Sequence, residues 1–345
     1  MSWRAALIAA ALLLVVGCQS LSYYTQAIGG HLRVMSHARP IADWLADPNL
    51  DPQLRQRLET ARRIREFASR ELGLPDNGSY LAYAELDRPA VVWNVFAAAE
   101  FSVEPKAECF PFTGCVSYRG FYSEADARQQ ADKLRAQGYD VYMGGVPAYS
   151  TLGWFDDPLL STFIRYPDAQ LARLVFHELS HQLVYAKGDT TFNESFAVTV
   201  EEEGVRRWLE AEKRSAELDA FRATQARQRE FAERVSQARE RLAGIYKMNL
   251  PREAMLEHKR GEWQRLRLSY PGIPAEPNNA FLVSIAAYTE LVPAFESLLA
   301  ESGGDLKRFY RRVETLAAKP SEREAFAKKA GYRRSSGTPG ARPDA

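Results

Sequence analysis

His177-Glu178-Leu179-Ser180-His181 constrains this chain more than any other feature, because it sets two imidazoles one helical turn apart with a carboxylate directly after the first. Residues i and i+4 of a helix share a face, so ring nitrogens of His177 and His181 can reach one Zn²⁺ at about 2.0–2.1 Å. Glu178 lies about a quarter turn away, able to lean toward a water at that ion without ligating it. With five His in 345 residues, a chance match to H-E-x-x-H has odds of about 1 in 200. The alternative is an ordinary helix with two histidines on one side.

The surrounding sequence supplies that helix. Pro167-Asp168 reads as its start, Leu171, Leu174, Val175 and Leu183 as its apolar contacts, and Gly188 as its end. A second helix is expected from near Asn193 to beyond Trp208. Upstream, Asp51-Pro52 opens a helix carrying Leu54, Leu58, Ala61, Ile64, Phe67 and Leu72 at helical spacing, closed by Gly73 and Pro75. From Tyr80 to Val103 the character changes to β-branched and aromatic runs, read as strands. Ser123 caps a helix ending near Gly138, and Tyr139 to Met143 returns as a strand. Residues 209–247 are rich in Arg, Glu, Ala and Gln, the pattern of a solvated long helix or helical hairpin. Ala280 to Leu299 is periodic, and Pro293 should kink or split it.

The expected class is therefore α+β, with a small mixed α/β unit followed by a mostly helical region whose histidine motif resembles that of zincin-like metallopeptidases. Expected boundaries are a signal peptide over 1–17, an N-terminal helical region over 18–79 and an α+β unit with a cleft-edge segment over 80–160. A helical zinc region over 161–334 and a disordered tail over 335–345 follow. A hydrophobic content of 46% suits one large or two modest cores, and a formal net charge of +1 argues against a nucleic-acid partner.

Arg4 followed by the apolar run Ala5 to Val16 reads as a secretory signal, too short to span a bilayer as a helix. Val15-Val16-Gly17-Cys18 resembles the lipobox of bacterial lipoproteins, which implies lipidation at Cys18 and a membrane partner through that anchor. Gln19 is not the Asp that resembles an inner-membrane retention signal, so the expected location is the outer membrane, facing the periplasm. In that oxidising compartment Cys109 and Cys115, six residues apart, are expected to close a small disulfide loop. Ser150 and Ser180 lack a nucleophile-elbow context, which argues against a serine hydrolase. His31, His37 and His258 read as surface residues.

Catalytic zinc sites usually use three protein ligands and keep one position open. Spacing leaves both Glu194 and Glu201 available as the third. Asn193-Glu194, followed by a small residue and Phe196-Ala197, resembles the Asn-Glu-Gly-Phe-Ala signature of gluzincin aminopeptidases, although the gap from the histidines is shorter here. That resemblance implies Glu194 as the ligand, with Glu201, two turns on, and Asn193 as residues able to support the ligand set.

A wider resemblance rests on Tyr118-Arg119-Gly120-Phe121, the run from Val146 to Leu159, the histidine segment with Asn193-Glu194, and Pro277-Asn278-Asn279-Ala280 with Tyr288. Together these blocks are similar to a bacterial family of predicted aminopeptidases. The resemblance implies a zinc cofactor, a peptide substrate, Glu178 as general base and Tyr288 as a donor to developing negative charge. The turn-rich segment from Tyr149 to Pro158 is expected to edge the cleft and pair with substrate backbone, with Gly153, Trp154, Asp156 and Asp157 as substrate-binding residues. Asp156 or Asp157 would hold a substrate α-ammonium. Two alternatives stand beside the aminopeptidase: an endopeptidase acting on envelope proteins or peptides, and a noncatalytic zinc-stabilised envelope lipoprotein that binds a partner.

Overall fold

The computed structural model describes residues 23–329, apart from 111–113, 271–272 and 274–275. The expected signal peptide, Cys18 and the tail from residue 335 lie outside the described residues. Helix α1 covers 23–36. It is followed by β1 (Ala38–Pro40), α2 (Ile41–Ala46), α3 (Pro52–Arg70), β2 (Ala82–Ala84) and β3 (Val92–Ala99). Next come β4 (Glu108–Phe110), β5 (Gly114–Val116), β6 (Tyr118–Phe121), α4 (Glu124–Ala136), β7 (Tyr139–Val146) and β8 (Leu159–Leu160). The remaining elements are helical: α5 (Asp168–Leu183), α6 (Thr190–Ala211), α7 (Ser215–Ile245), α8 (Arg252–Ser269), α9 (Asn279–Thr289), α10 (Val292–Glu301), α11 (Leu306–Ala318) and α12 (Pro320–Lys329). Small sheets and a mostly helical C-terminal region make this an α+β fold.

β3 is the centre of an antiparallel sheet ordered β6-β3-β7 and is buried along almost its whole length. Strand alternation explains why it reads as a nearly continuous apolar run, since each of its faces meets a different layer. Trp93, Val95 and Ala97 pack with Ala127, Ala131 and Leu134 of α4, whereas Phe96 and Ala98 meet Ala280 and Val283 of α9. Val92 and Asn94 continue that second face toward the cleft. A second sheet, β1-β2-β8, joins residues 38–40 to the segment just before α5.

The largest core gathers α3, α5, α6 and the C-terminal helices around Leu58, Ile64, Phe176, Phe196, Phe295 and Phe309. Truncating one of these phenylalanines to alanine costs about 3–5 kcal/mol in a typical core. Asp51 accepts a hydrogen bond from the Leu54 amide with Pro52 behind it, so α3 begins where its sequence caps it. Helices α5 and α6 approach unusually closely at Gly204, where a Cβ would meet Phe176 at 2.7 Å and Leu72 at 2.8 Å.

Several boundaries differ from the sequence reading. α5 ends at Leu183 rather than Gly188, and α6 begins at Thr190, capped by the Asp189 side chain on the Phe192 amide. The periodic segment after residue 279 is two helices, parted before Pro293. The charged stretch forms most of α7, which packs on α8 and α9 through Val235, Leu242, Trp263, Leu266 and Phe281. His31 is buried, not superficial: its Nδ1 lies 2.9 Å from the Tyr149 hydroxyl and its ring 4.6 Å from that of Phe155.

Candidate metal centre

Helical geometry brings His177 and His181 to one face of α5, and the short connection after α5 returns α6 alongside it. Asn193 fixes that connection: its side-chain oxygen accepts from the Ala186 amide at 2.7 Å while its nitrogen donates to the Ala186 carbonyl at 2.9 Å. The Asn193 amide is thus engaged with the turn rather than with a histidine. Glu194, the next residue, points back at the α5 pair.

Glu194 Oε2 lies 3.2 Å from His177 Nε2 and 3.5 Å from His181 Nε2, and the two Nε2 atoms are 3.2 Å apart. All three residues are buried, and together they form a group able to hold a metal ion. The triangle tests the fit. A tetrahedral ion with bonds of about 2.0–2.1 Å has ligand atoms about 3.3–3.4 Å apart, close to the three edges found. Two imidazole lone pairs and a carboxylate oxygen converging so tightly also call for a shared cation.

Glu201 stands seven residues after Glu194 on the same face of α6. Its Oε2 lies 2.8 Å from His177 Nδ1, and its Oε1 accepts from Arg173 Nε at 2.5 Å. A proton on Nδ1, donated to Glu201, leaves the Nε2 lone pair facing the other ligand atoms. His181 Nδ1 is buried without a hydrogen-bond partner among the described residues.

Charges in this cluster are strongly coupled. Burial alone would depress His177, yet hydrogen bonds to Glu194 and Glu201 raise it to about 10, and a metal ion bound at Nε2 would displace the proton shared there with Glu194. Burial opposes ionisation of Glu194, but the neighbouring His181 charge and the His177 hydrogen bond bring it down to about 2. Glu178 is pushed up, first by burial, against the opposing effect of His177 and His181.

The cluster forms one wall of a cleft of about 580 Å³ that Glu178, Tyr288 and Glu201 also line. Tyr288, from α9, lays its ring nearly parallel to that of His177 at 6.4 Å. Burial, reinforced by the Glu194 charge, raises its hydroxyl well above the ordinary tyrosine range. The sequence reading gave no role to Tyr118, which lines the cleft from β6 and is raised by the same two causes in the same order. Its signal was there: in β6, Tyr118 and Gly120 alternate onto one face, opposite Phe96 and Asn94 of β3.

The 149–158 segment forms no strand, and Leu159–Leu160, just after it, pairs in parallel with β2. Tyr149, Ser150 and Leu152 border the cleft, but Gly153, Trp154, Asp156 and Asp157 are not among its lining residues. Trp154 is 75% exposed. Asp156 is exposed and sits against Gly78, where a Cβ would meet its carboxyl carbon at 2.4 Å. Asp157 is 1% exposed, and its Oδ2 accepts from the Thr151 amide at 2.9 Å and from Gln182 at 3.3 Å. Its Oδ2 thus helps to fold the loop, while its Oδ1 is buried without a hydrogen-bond partner among the described residues. Elsewhere, Cys109 and Cys115 face one another across the β4-β5 pair and are joined as a disulfide.

A family model described as "Putative aminopeptidase" matches residues 22–327. No curated protein and no solved structure matches the chain.

Proposed function

The chain belongs to the putative aminopeptidase family, and from that premise we propose that it is a zinc-dependent peptidase whose ion is held by His177, His181 and Glu194. The observation that supports this most is the ligand triangle, 3.2–3.5 Å on each edge, in the same cleft as Glu178. Zinc, when bound, supplies a Lewis acid that acidifies water and polarises a carbonyl oxygen.

The chain's own groups carry the proton and the charge. Glu178 takes a proton from the attacking water and delivers it to the leaving amine, so that one peptide bond and one water become a carboxylate and an amine. Tyr288 and Tyr118, both on the cleft lining, offer hydroxyl donors to the oxygen that gains negative charge during attack. Glu201 holds His177 in the tautomer that ligates, and Arg173 keeps Glu201 ionised and oriented. A purely structural metal site would have no use for a carboxylate in the position of Glu178.

The family description speaks of cleavage at the amino end, whereas this chemistry serves any peptide bond. The sequence also supports export, lipidation at Cys18, and residence at the outer membrane on the periplasmic side. Replacing Cys18 with Ser should move the protein from the membrane to the soluble fraction, and unchanged membrane retention would reject the anchor. The catalytic reading is tested by mass-spectrometric profiling of a peptide mixture with zinc-loaded wild type and Glu178→Gln. New termini with the first and none with the second are expected, and an absence of cleavage by the loaded wild type would contradict it.

A further inference from the structure

Capturing a free peptide amino end requires a group that balances an ammonium charge close to the reacting carbonyl, since an unpaired ammonium is costly to bury. Among the described residues, three carboxylates line the cleft: Glu178, Glu194 and Glu201. Each is already engaged. Glu194 faces both histidines, and Glu201 is shared by His177 and Arg173. Glu178 would have to abandon its proton-carrying role to hold an amine.

Among the described residues, no other carboxylate lines the cleft. Neither Asp156 nor Asp157 is among the cleft-lining residues, and the Asp157 Oδ2 is held by the Thr151 amide and Gln182. The segments outside the described residues contain a single acidic residue, Asp344 in the C-terminal tail. A second metal ion could hold an amine in place of a carboxylate, but His177, His181 and Glu194 are the one metal-capable group among the described residues. The one arginine on the lining, Arg173, is committed to Glu201.

What the cleft does offer is apolar and aromatic surface. Val92, Phe110, Val116, Tyr118, Tyr122 and Tyr149 supply the walls around the metal-facing residues. Such walls favour uncharged side chains, which gain by leaving water, over an ammonium or a carboxylate, which lose hydration without a partner.

From this balance we infer that the site cuts peptide bonds within polypeptide, beside aromatic or aliphatic side chains, and does not depend on a free amino terminus. The inference rests on the peptidase reading above and specifies its substrate class: internal or amino-blocked bonds flanked by apolar residues.

The test uses the full-length zinc-loaded protein and matched peptide pairs, each with a free or an N-acetylated terminus, carrying Phe, Tyr, Leu, Glu or Lys around the central bonds. The expected result is that acetylation changes the cleavage rate by less than about threefold. Peptides with Phe, Tyr or Leu beside the cut bond should be cleaved at least about tenfold faster than those with Glu or Lys. Stepwise loss of single amino-terminal residues from the free peptides alone would overturn the inference and leave the peptidase reading standing. Equal cleavage of apolar and charged sequences would overturn its side-chain half. Cleavage of neither member of any pair would overturn the peptidase reading, and the inference with it.

Discussion

The α5-α6 pair and the 149–158 loop both border the cleft, yet they hold their side chains by different means. In the helices, backbone periodicity decides the direction of each residue, so His177 and His181 converge from one face and Glu194 and Glu201 from another. Asn193 and Gly204 then set how close the two helices lie. In the loop, direction is decided by individual hydrogen bonds. Asp157 turns inward to collect the Thr151 amide and Gln182, and Trp154 is left in solvent. Polar residues in the helices are thus arranged for a ligand, whereas those in the loop are arranged for the loop itself.

The largest expected contrast is between substitutions in the two regions. His177→Ala, His181→Ala or Glu194→Ala should abolish stoichiometric zinc binding and all detectable turnover, while Trp154→Ala should keep both within about twofold. Metal analysis and peptide hydrolysis on the four variants check this, and zinc loss in Trp154→Ala would erase the distinction. Next in size is Glu178→Gln, which should retain zinc but lose about 10²–10⁴ in rate. Tyr288→Phe should lose about 10²–10³ in turnover with metal content intact. An unchanged rate would return Tyr288 to a packing role.

Glu201→Gln probes the support beneath a ligand and should weaken zinc affinity by about 10–100-fold, read by competition with a chelator. The smallest effect belongs to the loop. Burial raises Asp157 from 3.8 to about 7, with the Glu178 charge adding to the shift and hydrogen bonds from Thr151 and Gln182 opposing it. Between those two pH values the folded chain keeps a proton that the unfolded chain has released, so this residue lowers stability as pH rises through the window and adds no further slope above it. Asp157→Asn should therefore gain on wild type by a few degrees in melting temperature between pH 5 and pH 8. A constant difference across that range would show that the carboxyl does not titrate there.

The same contrast explains what could be read from the sequence. Helix α3, its Asp51 cap and the α5 histidine pair follow from local rules that need no tertiary information. α6 starts three residues before the expected Asn193, because Asp189 caps it from the short loop after α5. Glu201 could be placed two turns beyond Glu194, but its pairing with Arg173 depends on how α5 and α6 face each other. Tyr118 lies 59 positions before His177 and comes from a different layer, so only sheet register brings it to the cleft. His31 illustrates the opposite error: its neighbours in sequence are polar or exposed, and it is Tyr149 and Phe155, far along the chain, that bury it.

The account depends on Glu194 completing the ion's coordination from α6. Zinc content measured by mass spectrometry after dialysis, on wild type, Glu178→Gln and Glu194→Ala side by side, tests this most directly. The prediction is close to one equivalent per chain in the first two and almost none in the third. A full equivalent retained by Glu194→Ala would contradict it.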